Sequence, residues 1–530
     1  MVPLLLALAC VDPAADKPAT DRDTPVPDSA DSGDTADTAD TADSGDTAAA
    51  GPPILLVVLA DDLGENFLWA MDTVMARLVP ESVRFTRTYA TVPLCCPVRA
   101  SFLQGGFYVR DTGVFNNDGA NGGITPFHDG DTLATRLQAH GYATALLGKY
   151  LNGYEDGGVA PYVPPGWDLF LVPTEIGDST DTVVVRGSST PTAAGLGAFE
   201  DTRGEHLTGW LFDEALAFLD AHPDEPVFVL LTPQSPHIYG TPAAEDLGTW
   251  DGYAPRPDAF AEADVSDKPG WIRRTEVDER DHDRWDAETR LMMENLASLD
   301  RGMGALLDGL DARGLTDRTT LVFTGDNGHL HGEHRLVGKA VAYEESVRVP
   351  LLVRAPGVAP REDARLVAMN LDVPATVAEL AGLPVEGEGI GLGGALVDPD
   401  LPLRDHVFLE TALGAWRVWA GVVTERWKYV EWGTGETELY DLAADPWELE
   451  SLHDDPPEDA DVAALAAWVD ENRALSATTA QVPVGEVGED YGTVLDAWGG
   501  VPPLTWTLDG GVLPAGLTLD PEGVVTGTPT

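Results

Sequence analysis

The sequence predicts an α/β fold in which helices cover both faces of a mainly parallel sheet. A continuous apolar run at residues 54–60 is typical of a strand that is buried on both faces. Helix-length and strand-length segments alternate after it, and this order is typical of a parallel sheet. The chain has 530 residues and is 43% hydrophobic, so it can bury a large core.

The elements that follow the first strand repeat one order, a helix and then a strand. Residues 131–140 indicate a helix that Gly141 closes, and residues 142–147 indicate the next strand. The same pair is predicted twice more, as helices at 207–221 and 290–313 with strands at 227–231 and 320–324. A further helix is predicted at about residues 97–104, because proline is favoured in a first helical turn.

Polar side chains follow the carboxyl ends of these predicted strands. Binding sites in such sheets lie beyond those ends, so we expect the side chains to meet at one edge of the sheet. Carboxylate and amide oxygens among them suit a hard cation, Ca²⁺ or Mg²⁺. The residues in chain order are Asp61, Asp62, Lys149, His237, Asp326 and Asn327.

The charge of the chain limits its partners. A net charge of −57 makes the exterior strongly acidic, which excludes nucleic acid as a partner. The same charge repels polyanions, so any anion site requires a local cluster of basic residues. The chain has only five lysines, so their positions are informative: Lys17, Lys149, Lys268, Lys339 and Lys428.

The segment Cys95-Cys96-Pro97-Val98-Arg99 carries the most specific pattern, Cys-x-Pro-x-Arg. Together with Thr324-Gly325-Asp326-Asn327-Gly328, it resembles the active site of the sulfatase family. In that family the cysteine is oxidised to formylglycine (3-oxoalanine), whose hydrated aldehyde attacks sulfur while a divalent metal holds the sulfate. The pattern selects Cys95, because only this cysteine has Pro97 two places on and Arg99 four places on. The resemblance covers about residues 52–475.

The resemblance implies a role for each candidate residue. Lys149 and Lys339 are expected to contact sulfate and leaving-group oxygens, and His237 is the expected general acid. Arg99 lies four residues after Cys95 on the same helical face, where it can orient the hydrated aldehyde. The expected ligands of the Ca²⁺ or Mg²⁺ ion are Asp61, Asp62, Cys95, Asp326 and Asn327.

Within the family, the chain is most similar to N-acetylglucosamine 6-O-sulfatases and heparan 6-O-endosulfatases. This likeness implies a sulfated carbohydrate as substrate, and a formylglycine-generating enzyme as the partner during maturation. Two residues depart from the common pattern: Val98 stands where serine is usual, and Leu151 stands where many sulfatases have histidine. The Leu151 departure is shared with the N-acetylglucosamine-type group, in which Asn152 would cover part of the role of that histidine. The likeness rests on the segments at 94–97, 116–117, 148–152 and 163–167.

The N-terminal region is predicted to be a targeting signal followed by a linker. Residues 1–10 resemble a bacterial lipoprotein signal that ends at Cys10. Export to the cell surface, periplasm or medium is predicted, with membrane contact only through a lipid on Cys10. The alternatives are an ordinary cleaved signal and a mis-called start codon. Residues 11–51 form an acidic Asp/Thr/Ala repeat and are predicted to be a disordered linker.

The rest of the chain divides into three predicted parts. Residues 52–400 form the sulfatase catalytic domain, and residues 401–475 form a small antiparallel C-terminal subdomain. Residues 480–530 resemble part of a bacterial immunoglobulin-like module and predict a partial β-sandwich. Outside the candidate site, His334 either reaches the substrate or is an exposed residue that caps a helix, and Lys428 is expected to be structural.

These observations predict a sulfuric ester hydrolase that acts on a sulfated sugar or polysaccharide. The first alternative is a phosphomonoesterase or phosphodiesterase of the alkaline-phosphatase superfamily, which would normally carry Ser or Thr as nucleophile. The second is a non-catalytic carbohydrate-binding surface protein on a sulfatase scaffold, which is favoured if Cys95 is never oxidised. The state of residue 95 therefore separates catalysis from binding.

Overall fold

The computed structural model describes residues 51–473, apart from 120, 155–160, 175–176, 178–179, 181, 203, 254 and 414–416. It also describes residues 8–11 and several short stretches between 476 and 529. The chain divides into two compact units, Pro52–Ala474 and a unit formed by Met1–Gly51 with Leu475–Thr530. The predicted linker lies almost entirely outside the described residues, as do residues 1–7 of the signal-like segment.

Ten strands of the described chain form the central sheet of the Pro52–Ala474 unit. They are β1 (Ile54–Ala60), β2 (Val83–Tyr89), β3 (Ala143–Gly148), β4 (Leu169–Pro173), β5 (Val183–Gly187), β6 (Ala198–Asp201), β7 (Val227–Thr232), β8 (Thr319–Gly325), β9 (Leu351–Arg354) and β10 (Arg361–Ala368). Their order across the sheet is β10-β2-β9-β8-β1-β7-β3-β4-β5-β6.

The centre of this sheet is parallel. Neighbouring strands in the run β8, β1, β7, β3 and β4 all pair in parallel. Strands β9 and β5 run antiparallel to their neighbours, and β10 pairs in parallel with β2. The mainly parallel sheet predicted from the sequence is therefore confirmed.

Helices cover both faces of the sheet. They are α1 (Cys95–Gln104), α2 (Val109–Thr112), α3 (Leu133–Ala139), α4 (Leu207–Ala221), α5 (Gly270–Arg273), α6 (Glu279–Ala312), α7 (Glu344–Val347), α8 (Met369–Leu380), α9 (Gly393–Val397) and α10 (Val462–Asn472). The described chain also contains 3-10 helices at Glu65–Ala70, Val79–Glu81 and Thr316–Arg318, and a π-helix at Val74–Leu78.

The side chains of β1 alternate between two hydrophobic cores, as expected for a strand with period two. Leu55, Val57 and Leu59 pack in the core that contains α1, α3 and α8. Their neighbours in sequence pack in the opposite core with α4 and α6. The whole strand is buried, which explains why its sequence is continuously apolar.

Two helices begin earlier than the sequence predicted. Helix α6 begins at Glu279 and not at 290, because the Asp278 side chain accepts hydrogen bonds from the backbone of Arg280 and Asp281. Helix α1 begins at Cys95 itself, after an extended Leu94, so the cysteine lies inside the first turn rather than before it. Its Pro97 stands within that turn, where backbone N–H groups have no helical partner.

The C-terminal part of the first unit is a four-stranded antiparallel sheet, as predicted. Its strands follow in the order β11 (Val407–Leu413), β12 (Arg417–Val423), β13 (Trp427–Trp432) and β14 (Thr437–Asp441). Two short antiparallel pairs complete the unit, Tyr162–Val163 with Gly195–Leu196 and Leu330–His331 with Val337–Gly338. The second of these pairs, with the turn between its strands, is called the 330–338 hairpin below.

The second unit contains short antiparallel pairs. Leu8–Val11 pairs with Thr505–Leu508, Ser476–Ala477 pairs with Ala497–Trp498, and Val524–Gly527 lies between Tyr491–Val494 and Leu517–Leu519. The partial β-sandwich of immunoglobulin type stays a prediction. Among the described residues, no helix is both long enough and apolar enough to cross a membrane.

Candidate active site

Five segments converge at the carboxyl edge of the central sheet. Asp61 and Asp62 follow β1, Lys149 follows β3, and Asp326 follows β8. The loop after β7 supplies His237, and the first turn of α1 supplies residue 95. The parallel strands all end at this edge, so their terminal residues meet although they lie far apart in sequence.

Cys95 stands at the centre of this group. Its Sγ lies 3.6 Å from Asp61 Oδ1 and 3.9 Å from Asp62 Oδ1. Lys339 Nζ lies 2.7 Å from the same sulfur and also contacts Asp62 Oδ1. Burial raises the pKa of the Cys95 thiol to about 12, so an unmodified thiol is neutral at physiological pH and is a weak nucleophile.

Hydrogen bonds connect Asp62, Asp326 and Asn327 around the sulfur. The Asp62 backbone N–H donates to Asp326 Oδ1 at 3.0 Å, and Asn327 Nδ2 donates to Asp62 Oδ1 at 2.7 Å. All four groups, including Asp61, are buried. Asp62 has φ 66°, an uncommon value for a residue with a side chain, so the backbone itself is held in place to aim this carboxylate.

Three basic side chains balance these carboxylates. Lys149 Nζ donates to both oxygens of Asp61, at 2.9 and 2.6 Å. Arg99 Nε donates to Asp326 Oδ2 at 2.9 Å, and its Nη1 donates to the Lys149 carbonyl at 3.0 Å. With Lys339, three positive charges meet three carboxylates, so the site is locally neutral inside a strongly acidic protein.

The pKa values at the site follow from this pairing. Burial raises the pKa of Asp61, but the charges of Lys149, His237 and Arg99 outweigh it and hold that pKa at about 2. Burial lowers the pKa of Lys149, but the charge of Asp61 outweighs it and the net shift is upward. Both groups are therefore charged at neutral pH.

A glycine allows Lys149 to reach the site. Gly148 has φ +116°, and a Cβ at this position would stand 2.1 Å from the Thr232 carbonyl oxygen. The Lys149 backbone N–H donates to that same carbonyl at 2.7 Å. The close approach of β3 and β7 therefore depends on the missing side chain and fixes where the Lys149 side chain begins.

Three histidines line the same region, and the sequence analysis singled out only one of them. His237 Nε2 lies 3.5 Å from Asp62 Oδ2, and its ring is 4.9 Å from the ring of the exposed Tyr239. His329 and His331 are buried, with ring centroids 4.6 Å apart. Burial lowers the pKa of His329 to about 4, so this imidazole is neutral. The sequence signal was available: both histidines follow the Asp326-Asn327-Gly328 turn within three residues.

The side chains fit a hard divalent cation. Ligand atoms of Asp61, Asp62 and Cys95 all lie within 4.8 Å of one another. Asn327 Oδ1 is buried and has no hydrogen-bond partner among the described residues, as expected for an amide oxygen that is meant to bind a cation. Oxygen donors of this kind favour Ca²⁺ or Mg²⁺.

The nine residues named as a site by the sequence thus lie together in the structure, and their individual roles remain predictions. Two other residues lie elsewhere. His334 is fully buried and bonded to Glu262, so the alternative of an exposed capping histidine is wrong. Lys428 is buried between Glu344 and Glu448, at 2.7 and 2.8 Å, which fits the structural role expected for it.

Comparison with known proteins adds two family matches. The sulfatase family model matches residues 53–383. A model described as the C-terminal region of N-sulphoglucosamine sulphohydrolase matches residues 332–474. Together the two matches span residues 53–474, which is almost the whole of the Pro52–Ala474 unit, and they agree with the extent of the resemblance expected from the sequence.

Curated relatives are sulfatases. An arylsulfatase of Volvox carteri is 28% identical over 436 residues, which cover 69% of this chain and 65% of the relative. An N-acetylglucosamine-6-sulfatase of Homo sapiens is 28% identical over 345 residues, which cover 62% of this chain and 61% of the relative. The chain thus spans somewhat less than two thirds of the length of these relatives.

Solved structures share the fold. A protein solved in complex with its substrate, D-glucosamine-2-N,6-O-disulfate, superimposes with a TM-score of 0.66 at 21% identity, covering 80% of this chain and 97% of that chain. A phosphonate monoester hydrolase of Agrobacterium radiobacter gives a TM-score of 0.57 at 22% identity, covering 79% of this chain and 94% of that chain. At these identities the likeness concerns the fold alone.

Proposed function

The chain belongs to the sulfatase family, and from this premise we propose that it hydrolyses a sulfate ester of a sulfated sugar or polysaccharide. The observation that carries the proposal is the position of Cys95 Sγ, between two aspartates and 2.7 Å from Lys339 Nζ. The Cys95 Sγ marks the position that an oxygen of the hydrated formylglycine aldehyde would take in the mature enzyme. The raised thiol pKa supports the modification, because an unmodified thiol in this site is a poor nucleophile.

A Ca²⁺ or Mg²⁺ ion held by Asp61, Asp62, residue 95, Asp326 and Asn327 would polarise the sulfate and orient the nucleophile. The protein's own cations do the remaining electrostatic work. Lys339 is the most exposed of them, with a side chain 13% exposed, so it can contact an incoming anion. Lys149 lies deeper and is positioned to stabilise charge on the sulfate oxygens in the transition state.

Arg99 and the helix that carries it hold the nucleophile in place. The guanidinium bonds to Asp326 and to the Lys149 backbone, so it joins the ends of β8 and β3 to α1. Residue 95 lies in the first turn of this helix, where the partial positive charge of the backbone favours a nearby anion. Arg99 therefore fixes the orientation of residue 95 relative to the sulfate.

His237 is the proposed general acid. Its Nδ1 accepts a hydrogen bond from the Tyr239 backbone N–H at 3.3 Å, which orients the ring so that Nε2 faces Asp62. That hydrogen bond belongs to the neutral ring. As an acid the ring would be an imidazolium beside the Asp62 carboxylate, and its Nε2 would give a proton to the departing sugar oxygen, so that the sugar leaves with a hydroxyl. A positioned acid of this kind suits a sugar as leaving group, because an alkoxide needs protonation more than a phenolate does.

An exposed aromatic ring beside the general acid supports a sugar as the substrate. Tyr239 is 71% exposed, and its ring stands next to that of His237. An aromatic face at the rim of a site offers apolar area to the C–H face of a pyranose ring. We expect Tyr239→Phe to keep the KM for a sulfated sugar, and Tyr239→Ala to raise it. Neither change should alter kcat for a small aryl sulfate.

Mass spectrometry of the peptide that spans residue 95, from protein made in a host with a formylglycine-generating enzyme, tests the proposal. We expect an aldehyde in place of the thiol, and sulfate release that Cys95→Ala abolishes. Release of phosphate in preference to sulfate would favour the phosphoesterase alternative. An unmodified thiol in an inactive protein that still binds sulfated sugar would favour the binding protein.

We also propose that the protein is exported and that the signal-like residues 1–10 direct this export. Relatives that are named extracellular sulfatases support this proposal. Labelling with a radioactive fatty acid would distinguish a lipid on Cys10 from simple cleavage. A Cys10→Ser change should abolish the label if the lipoprotein prediction is right, and should leave export unchanged if the signal is an ordinary one.

A further inference from the structure

A second group of buried ionisable side chains lies outside the candidate active site. Ligand atoms of His334, Glu345 and Glu448 all lie within 4.8 Å of one another. Each of the three residues is at most 3% exposed. They come from three separate segments: the 330–338 hairpin, the start of α7, and the turn that follows β14.

The imidazole of His334 is oriented as a metal ligand would be. Its Nδ1 lies 2.8 Å from Glu262 Oε2, and its ring stacks on Tyr343 with centroids 4.0 Å apart. Its Nε2 has no hydrogen bond of good geometry, and the closest acidic oxygen is Glu345 Oε2 at 3.5 Å. Imidazoles that bind metals commonly donate their other N–H to a carboxylate, as His334 does to Glu262.

The two carboxylates that face Nε2 have few hydrogen bonds, and Glu345 has none among the described residues. Both oxygens of Glu345 are buried without a hydrogen bond among the described residues. Glu448 Oε2 accepts from the Glu344 backbone N–H at 2.7 Å, whereas its Oε1 has only the ion pair with Lys428. A buried carboxylate without hydrogen bonds costs several kcal/mol unless a cation compensates for it.

The local charges leave room for a divalent cation. Five carboxylates surround the group, and the permanently charged partners are two lysines and one arginine. These carboxylates outnumber the permanent cations by two, and without a metal a proton on His334, which lies between Glu262 and Glu345, balances one of those two charges. The carboxylates are Glu262, Glu333, Glu344, Glu345 and Glu448, and the cations are Lys268, Arg348 and Lys428.

We propose that His334 Nε2, Glu345 and Glu448 bind a second divalent cation, of the kind that accepts both imidazole and carboxylate ligands, such as Zn²⁺ or Mn²⁺. The bound cation replaces a proton on the imidazole, so binding releases a proton to solvent. Its role is structural: it joins the 330–338 hairpin, which precedes Lys339, to the C-terminal subdomain through Glu448.

The proposal is tested by the metal content of the full-length protein, made in medium with added Zn²⁺ or Mn²⁺, and measured by mass spectrometry after dialysis. We expect the wild type to retain one cation that Glu345→Gln loses and that Asp326→Asn retains. The active-site change Asp326→Asn is the matched control, since it removes a charge from the other cluster. Equal Zn²⁺ and Mn²⁺ content in wild type and Glu345→Gln would overturn the proposal.

Thermal unfolding gives a second readout that does not depend on activity. We expect Zn²⁺ or Mn²⁺ to raise the Tm of the metal-depleted wild type and of Cys95→Ala, and to leave the Tm of Glu345→Gln unchanged. If Glu345→Gln does not fold, Glu448→Gln replaces it in both measurements. Because Cys95→Ala cannot form formylglycine, a metal effect in this variant is independent of the proposed catalytic function. A Tm that rises equally in the Glu variants and the wild type would refute the site.

Discussion

Replacing Lys149 by methionine should reveal both the catalytic charge and the cation of the candidate active site. The lysine is buried, and its Nζ makes two contacts with Asp61, the shorter at 2.6 Å. Removing one partner of a buried ion pair costs about 3–5 kcal/mol of unfolding free energy. Arg99 Nη2 stands 3.7 Å from the same carboxylate and compensates in part, so we expect about 3 kcal/mol in metal-free protein.

The bound cation changes this expectation. When Ca²⁺ or Mg²⁺ occupies the site, it takes up the charge of Asp61, and Lys149→Met should cost less than about half as much. Catalysis should still suffer, because a unit charge about 4 Å from a sulfate oxygen is worth roughly 4 kcal/mol near a protein surface. Loss of one such contact typically lowers kcat by about 10²–10³-fold.

Urea unfolding with Ca²⁺ and with a chelator, together with the kinetics of an aryl sulfate, measures both effects. Arg404→Met is the control, because it breaks a largely buried ion pair, with Asp372 at 2.8 Å, away from the site. It should destabilise the protein equally with and without metal, and leave kcat per folded molecule unchanged. A Lys149→Met protein whose stability loss is the same in Ca²⁺ and in chelator would refute the shared position of cation and lysine.

Three further predictions concern the same site. His237→Gln should lower kcat strongly for a sulfated sugar and only weakly for nitrophenyl sulfate, whose leaving group needs no proton; equal losses for both substrates would exclude a general acid at this position. Prolonged chelation should abolish sulfate release, and added Ca²⁺ or Mg²⁺ should restore it; activity that persists in metal-free protein, checked by elemental analysis, would contradict a catalytic cation. Gly148→Ala should destabilise the protein by more than about 2 kcal/mol, since its Cβ would strike the Thr232 carbonyl, whereas Gly141→Ala, with open space around it, should cost about 1 kcal/mol; similar midpoints in urea would show that β3 and β7 can separate there.

The sequence was sufficient for the architecture because hydrophobic periodicity is a local property. The continuous apolar run of β1 and the amphipathic helix α4 were predicted with the bounds that the structure has. The start of α6 was missed, because its first turns are mostly polar and, apart from the buried Trp285, carry little hydrophobic signal. The capping side chain of Asp278 sets the start of this helix, and an aspartate is equally common in turns, so its presence alone does not predict a cap.

The candidate site was also largely predictable, because parallel strands deliver their last residues to one edge. The chain order does not reveal the order of strands in the sheet, however. Strand β8 lies beside β1, although the two strands, which begin at Thr319 and Ile54, are far apart in sequence. This pairing brings Asp326 next to Asp62. His329 and His331 were not predicted as part of the site, although they directly follow the Asp326-Asn327-Gly328 turn, because their position in sequence does not show that their side chains are buried beside it.

By itself, the sequence determined the fold class, and through its resemblance to the sulfatase family it predicted Cys95 as the modified residue and the residue types that suit sulfate and a hard cation. Only the tertiary structure decided which charges pair: Arg99 with Asp326, Lys149 with Asp61, and His334 with Glu262. The physical reason is that Coulomb energy and desolvation depend on distance and burial, and neither is a function of separation along the chain. The cluster of His334, Glu345 and Glu448 exists only because three segments fold against one another in a place that water does not reach.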